Sequence, residues 1–159
     1  MNTQALTPPR IGDYWQNEGG IFVGTINHHH AGQQWHLIMA VPQNKLAWGE
    51  YGAEVECAEN YWDGAANTKA MLATDKCPAA TWAASLNIDG HSDFYLPAQR
   101  ELNLICINAN HLAEPVYHWS STQYSTGYAW HQYFEYGSQY IFSKHDPLAV
   151  RAVRRILVI

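Results

Sequence analysis

Tyr117-His118-Trp119-Ser120-Ser121-Thr122 and, further on, Val150-Arg151-Ala152-Val153-Arg154-Arg155 bound the stretch whose reading decides the fold. Between them aromatic and β-branched residues dominate, and Glu135-Tyr136-Gly137-Ser138 supplies a turn signal, so the segment reads as several antiparallel strands. In Trp130-His131-Gln132-Tyr133-Phe134-Glu135 the period of two places Trp130 and Phe134 on one face and His131, Tyr133 and Glu135 on the other. Gln139-Tyr140-Ile141-Phe142-Ser143 reads as the hairpin partner. The last segment alternates poorly, because Val150 and Val153 fall on opposite faces. That pattern suits a central strand covered on both sides.

Upstream, Ile21-Phe22-Val23-Gly24-Thr25-Ile26 and Trp35-His36-Leu37-Ile38-Met39-Ala40-Val41 flank a turn-like Asn27-His28-His29-His30-Ala31-Gly32 and predict a β-hairpin. Residues 1–12 read as an extended lead and residues 13–159 as one domain, a length that supports a real core. Residues 42–62 read as irregular, anchored by Trp48 and Trp62. Asn67-Thr68 is a candidate cap for a short helix through Ala73. Two main helices are predicted, near 77–87, capped by Asp75, and near 97–112. In the second, Leu102, Ile105, Ala109 and Leu112 recur at helical spacing, with Glu101 in the first turn. Trp82, Leu86, Leu102, Ile105, Trp119 and Trp130 are the expected core between helices and sheet.

Composition excludes several function classes. Apolar residues make up 47% and charged residues 14% of the chain, which excludes disorder, and the formal charge is −5. Arg151, Arg154 and Arg155 form the one basic group, inside a strand, so a structural role is expected rather than nucleic-acid binding. No stretch approaches a membrane span and the N-terminus lacks an apolar signal core, so neither membrane insertion nor self-directed export is expected. Cys57, Cys77 and Cys106 form no close metal pair; reduced thiols are expected, with a Cys57–Cys77 bridge as the alternative. The His28–His30 run reads as an exposed polar loop, since consecutive strand side chains diverge. Asp89-Gly90-His91-Ser92-Asp93 lacks the spaced oxygen ligands of a calcium loop and reads as a turn. No metal and no cofactor are expected.

Asp89-Gly90-His91-Ser92-Asp93-Phe94-Tyr95-Leu96-Pro97, Arg100-Glu101-Leu102, Trp119-Ser120-Ser121-Thr122-Gln123-Tyr124, Ala129-Trp130 and Val150-Arg151-Ala152-Val153-Arg154-Arg155, in that order, resemble the Lcl C-terminal-like domain family over roughly residues 60–156. That family has no assigned function and occurs in phages, prophages and bacterial surface proteins. The Gly-Gly-Ile-Phe-Val-Gly block at 19–24 is similar to its phage and prophage branch. The resemblance implies an α+β, C-type-lectin-like fold: a twisted antiparallel sheet flanked by two helices, with an N-terminal β-hairpin. It brings no catalytic residues. The related formylglycine-generating enzymes hold copper through cysteines near the C-terminus, whereas here the last cysteine is Cys106.

Three function classes compete. An enzyme needs a nucleophile with a base, or a metal cluster, and His118, His131 and His145 with Glu135 and Asp146 are the groups available. A binding module is favoured, because Tyr, Ser and His interspersed on a rigid scaffold suit adaptable recognition. Tyr124, Tyr128, His131, Tyr133, Tyr136, Tyr140 and His145 are its candidate ligand-binding residues. The third class is a structural decoration or tail component contacting other virion proteins or copies of itself. The expectation is a non-enzymatic, virion-associated protein assembled in the host cytoplasm, recognising a host-surface glycan or protein, with no nucleic acid as partner.

Overall fold

In a computed structural model that describes residues 6–27 and 32–159, the chain forms a seven-stranded mixed sheet with three helices. The strands are β1 (Tyr14–Trp15), β2 (Gly20–Asn27), β3 (Gln34–Ala47), β4 (Tyr117–Gln123), β5 (Tyr128–Tyr133), β6 (Gln139–Ser143) and β7 (Pro147–Leu157). The helices are α1 (Gly64–Leu72), α2 (Pro78–Ala84) and α3 (Gln99–Ala109). Strand order is β1-β2-β3-β7-β4-β5-β6. The arrangement is α+β and consistent with a C-type-lectin-like fold.

β7 is central, as its sequence predicts. Seven consecutive residues, Leu148 to Arg154, are buried, and the two valines separate into different halves of the core. Val150 packs with Trp48, Trp119 and the alanines of α2; Val153 packs with Leu102, Ile105 and Phe134 under α3. The strand pairs antiparallel with β3 of the N-terminal hairpin, from Trp35↔Leu157 to Ala47↔Pro147. Its other neighbour, β4, runs parallel and meets it at His118↔Ala149, so the sheet is not wholly antiparallel.

Several local expectations are corrected. β3 does not stop at Val41 but continues to Ala47, and Pro42 is absorbed in a bulge between Met39 and Gln43. The bulge strands the carbonyls of Ala40 and Val41, and the Arg151 guanidinium donates to both (3.2 and 2.7 Å) and to Leu112 O (3.1 Å). Arg154 pairs with Glu18 and Asp93, each at 2.8 Å, and Arg155 with Asp63 at 3.1 Å while stacking over Trp35. The arginine trio is thus structural, each guanidinium holding a carboxylate or carbonyl acceptor of another element.

The two main helices and the short helix before Ala73 all form, with shifted caps and bounds. α1 starts at Gly64, where the Asp63 carboxylate caps Ala66 N (2.9 Å); Asn67 and Thr68 are buried inside the helix and cap nothing. Asp75 adopts a left-handed φ of 54° and is no cap; α2 begins after Cys77 with Pro78 in its first turn and ends at Ala84, leaving Trp82 and Leu86 half-buried. Asp89-Gly90 forms a tight turn closing the Ile88↔His91 bridge, and the Asp89 carboxylate accepts from Tyr14 OH and Gly19 N. Glu101 does more than meet the dipole of α3. Its fully buried carboxylate accepts from Ala98 N (2.8 Å), Gly64 N (3.1 Å) and Tyr95 OH (2.7 Å), tying two helix starts to one side chain. All three cysteines are free thiols, so the Cys57–Cys77 alternative is not formed. The His28–His30 loop lies outside the described residues.

Candidate functional site

Strands β4, β5 and β6 form one side of the sheet beyond β7, and part of one of their faces meets solvent. Register assigns the residues. Tyr117 pairs with Tyr133, Trp119 with His131, Ala129 with Phe142 and His131 with Tyr140, so these side chains share a face. On the opposite face His118 stacks on Phe134 at 4.1 Å and Gln132 donates to Asn103 of α3. Trp119, Ala129 and His131 are buried on this face, and the part of it that meets solvent is aromatic. Tyr117 lies 4.5 Å from Tyr133, which meets Tyr136 at 5.2 Å, and Tyr117 stacks with Phe142 at 6.4 Å and 15°. Tyr117, Phe142, Tyr140 and Tyr136 are 44, 39, 65 and 77% exposed, too much aromatic area for scattered surface residues. Beside Tyr117 the diverging β4 and β7 leave a groove of about 550 Å³, lined by Gln43, Lys45, Glu114, Val116 and Leu148 among others.

The predicted set divides into three groups. Tyr133, Tyr136 and Tyr140 lie on or beside this face. Tyr128 and His145 lie at the far end of the hairpin, each about 5.9 Å or less from Tyr51. Tyr124 packs edge-on against Trp130 at 5.6 Å. Two expectations are corrected here. His131 does not face out: it is 4% exposed, enclosed by the rings of Tyr117, Trp119 and Phe142. Trp130 is only half-buried, because it lies toward Tyr61 and Tyr124 at a rim. Tyr117 and Phe142 were missed. The alternation of Tyr140 and Phe142 in β6 is the signal that finds Phe142; Tyr51, in an irregular loop, carries none.

The enzyme candidates do not converge. His118 and His131 project from opposite faces, and His145 is exposed beside Ser143 and Asp146. Burial holds His118 and His131 neutral, with pKa values lowered to about 4, and lowers His36 on β3 in the same direction. Burial pushes Glu101 the other way, up to about 7. A lowered folded pKa means the unfolded chain binds more protons between about 4 and 6.5, so stability falls as pH drops through that window. Glu101 opposes this, since its folded form holds the extra proton between about 4.5 and 7. Two histidines against one carboxyl leave a net loss on acidification, each histidine contributing on the order of 2–3 kcal/mol. His131→Phe is expected to flatten the pH dependence of Tm between pH 6.5 and 4; an unchanged slope would show that His131 is protonated in the folded protein. Among the described residues no three His, Cys, Asp or Glu side chains are grouped to hold a metal ion.

At the far end of the hairpin, Lys144 is fully buried, and its ammonium donates to Gln123 Oε1 (2.7 Å) and Ala53 O (2.8 Å) over the Trp48 ring. It fixes the 48–58 loop to β4, with Val55 N donating to the same Gln123 oxygen.

The family model described as the Lcl C-terminal domain matches residues 24–154. The match reaches further toward the N-terminus than the resemblance at residues 60–156 and takes in β3 and the second half of β2. The chain has no match among curated proteins.

Proposed function

The chain belongs to the Lcl C-terminal domain family, and from that premise we propose that it is a non-catalytic recognition module of a phage or prophage virion. The module is displayed at the tail or capsid surface and binds a host-surface glycan or protein through its aromatic sheet face. The observation that carries this reading is the continuous exposed run Tyr136-Tyr133-Tyr117-Phe142 with Tyr140 beside it, held on a hydrogen-bonded sheet. Tyrosine on a rigid support gives contact area at small entropic cost, which is what recognition surfaces exploit. The divergence of His118, His131 and His145 supports a non-catalytic role.

The test is adsorption of the purified protein to host cells. Tyr136→Ala/Tyr140→Ala is expected to abolish adsorption while shifting stability by no more than about 0.5 kcal/mol per site, because both rings are mostly exposed. Normal adsorption by that variant would remove the sheet face from recognition. Self-association lost in the same variant, with no adsorption by the parent, would favour a decoration or tail-assembly role.

A further inference from the structure

Strand order leaves β1 and β6 at the two edges of the sheet. β1 is two residues long, whereas β6, Gln139-Tyr140-Ile141-Phe142-Ser143, offers a full strand. We propose that β6 pairs antiparallel with β6 of a second copy of this chain, about a two-fold axis at Ile141, and so joins two aromatic faces into one.

The backbone supplies the first argument. Tyr133 N donates to Ser138 O (2.8 Å) and Lys144 N to Gly127 O (3.0 Å), which fixes the hydrogen-bonded positions of the β5–β6 ladder. Such positions alternate along an antiparallel pair. Tyr140 and Phe142 therefore direct their N–H and C=O groups at β5, while Gln139, Ile141 and Ser143 direct theirs away from it. Among the described residues nothing bonds the outward groups of Gln139 and Ile141. Ser143 O accepts from Asp146 N (3.1 Å) and keeps a second lone pair. An open row of this kind is a template for another strand.

The side chains decide which strand fits. Edges are ordinarily protected by a charge, a proline or a bulge. β6 carries no charged residue and no proline, and its register with β5 runs unbroken from Gln139 to Ser143. Its chemistry is also symmetric about Ile141: a polar residue at each end, an aromatic on either side, an aliphatic residue at the centre. A two-fold interface needs such self-complementarity, because the same patch serves both copies. In the register centred on Ile141, Gln139 meets the second copy's Ser143 and Ile141 meets its own counterpart, each pair exchanging both N–H···O bonds. Tyr140 falls opposite the second copy's Phe142 at a non-hydrogen-bonded position, where side chains approach most closely. Both rings are exposed in the single chain and face the aromatic side of the sheet. The uncharged strand brings no like charges together, although each copy has a formal charge of −5. With β6 occupied and β1 short, association closes at two.

Five residues a side bury less than the ~1,200 Å² of a standard interface, so a dissociation constant on the order of 100 µM is expected for the free protein. Copies tethered close together would pair at an effective concentration on the order of 1 mM.

The test is sedimentation velocity of the full chain between about 10 µM and about 1 mM, where a monomer–dimer equilibrium is expected. Ile141→Pro removes an outward N–H from an edge strand, where proline is tolerated, and is expected to weaken the dimer about tenfold or more. Cross-linking gives a second readout that does not depend on how that variant folds. In a Cys57→Ser background, which removes the exposed thiol, Ile141→Cys is expected to yield a disulfide dimer on mild oxidation. Facing Cα atoms about 5.5 Å apart suit that bond. Tyr140→Cys is expected to cross-link with Phe142→Cys and not with itself. The proposal is overturned by a parent that stays monomeric at about 1 mM, by species larger than a dimer, by unchanged dimerisation of folded Ile141→Pro, or by Tyr140→Cys cross-linking to itself. None of these outcomes touches the cell-adsorption reading, since Ile141 lies on the face opposite the exposed rings.

Discussion

Trp119→Ala is expected to destabilise the protein by about 3–5 kcal/mol, the range for removing a large buried ring. Trp119 is completely buried on β4, where it packs with Trp48, Val150 and the alanines of α2, and its indole N–H donates to Leu46 O at 3.1 Å. Truncation therefore leaves a cavity and an unpaired carbonyl together. For a chain of this length the loss corresponds to a fall in Tm of about 10 °C or more. It would also remove the floor beneath His131 and Phe142, so the aromatic face should loosen with the core. Trp130→Ala is expected to cost much less, about 1–2 kcal/mol, because that ring is half-exposed at a rim. Urea denaturation of the two variants checks the contrast. Equal costs would mean the two tryptophans are packed alike, against the register given above.

The second large effect is expected at Gly64, the first residue of α1. A Cβ there would come within 2.5 Å of Ala98 N and of Glu101 Oε2, and within 2.6 Å of Leu96 O. Two of these neighbours are backbone and the third is a fully buried carboxylate, so none can swing aside. Gly64→Ala should force α1 away from the 96–98 segment and lengthen the Gly64 N–Glu101 bond, now 3.1 Å. The expected cost is about 3 kcal/mol, at the upper end of what overpacking does. Thermal denaturation reads it directly. A loss under about 1 kcal/mol would show that the start of α1 can withdraw without disturbing α3.

Much of the fold was legible in residue order. The short period of β5, the turn at Glu135–Ser138 and the two-sided burial of β7 follow from local pattern, since a strand's side chains must alternate between faces. The spacing of Leu102, Ile105 and Ala109 likewise marks the buried stripe of α3. Errors gathered where a local signal met a distant partner. Pro42 reads as a strand end, yet β3 runs through it because Arg151, more than a hundred residues away, satisfies the stranded carbonyls. Asn67 reads as a cap, but it lies inside α1 and donates to the Asn60 carbonyl.

The candidate surface divides in the same way. That tyrosines would stand exposed between residues 124 and 140 was a matter of composition and alternation, which belong to the sequence alone. Which of them act together was not. Period two places His131 and Tyr133 on one face, but it cannot say that Tyr117, from another strand, closes over the histidine while Tyr140, its partner on β6, stays open. That outcome depends on strand order and on how far α2 and the 48–58 loop reach across the sheet. Tyr61 O accepts from Arg100 N at the start of α3 (2.9 Å), a contact across about forty residues that no local period encodes. Sequence by itself determined the elements and their buried faces, because those follow from backbone geometry and the exclusion of water. Only the tertiary structure decided which exposed aromatics share a surface, because that follows from where chain-distant elements leave the sheet uncovered.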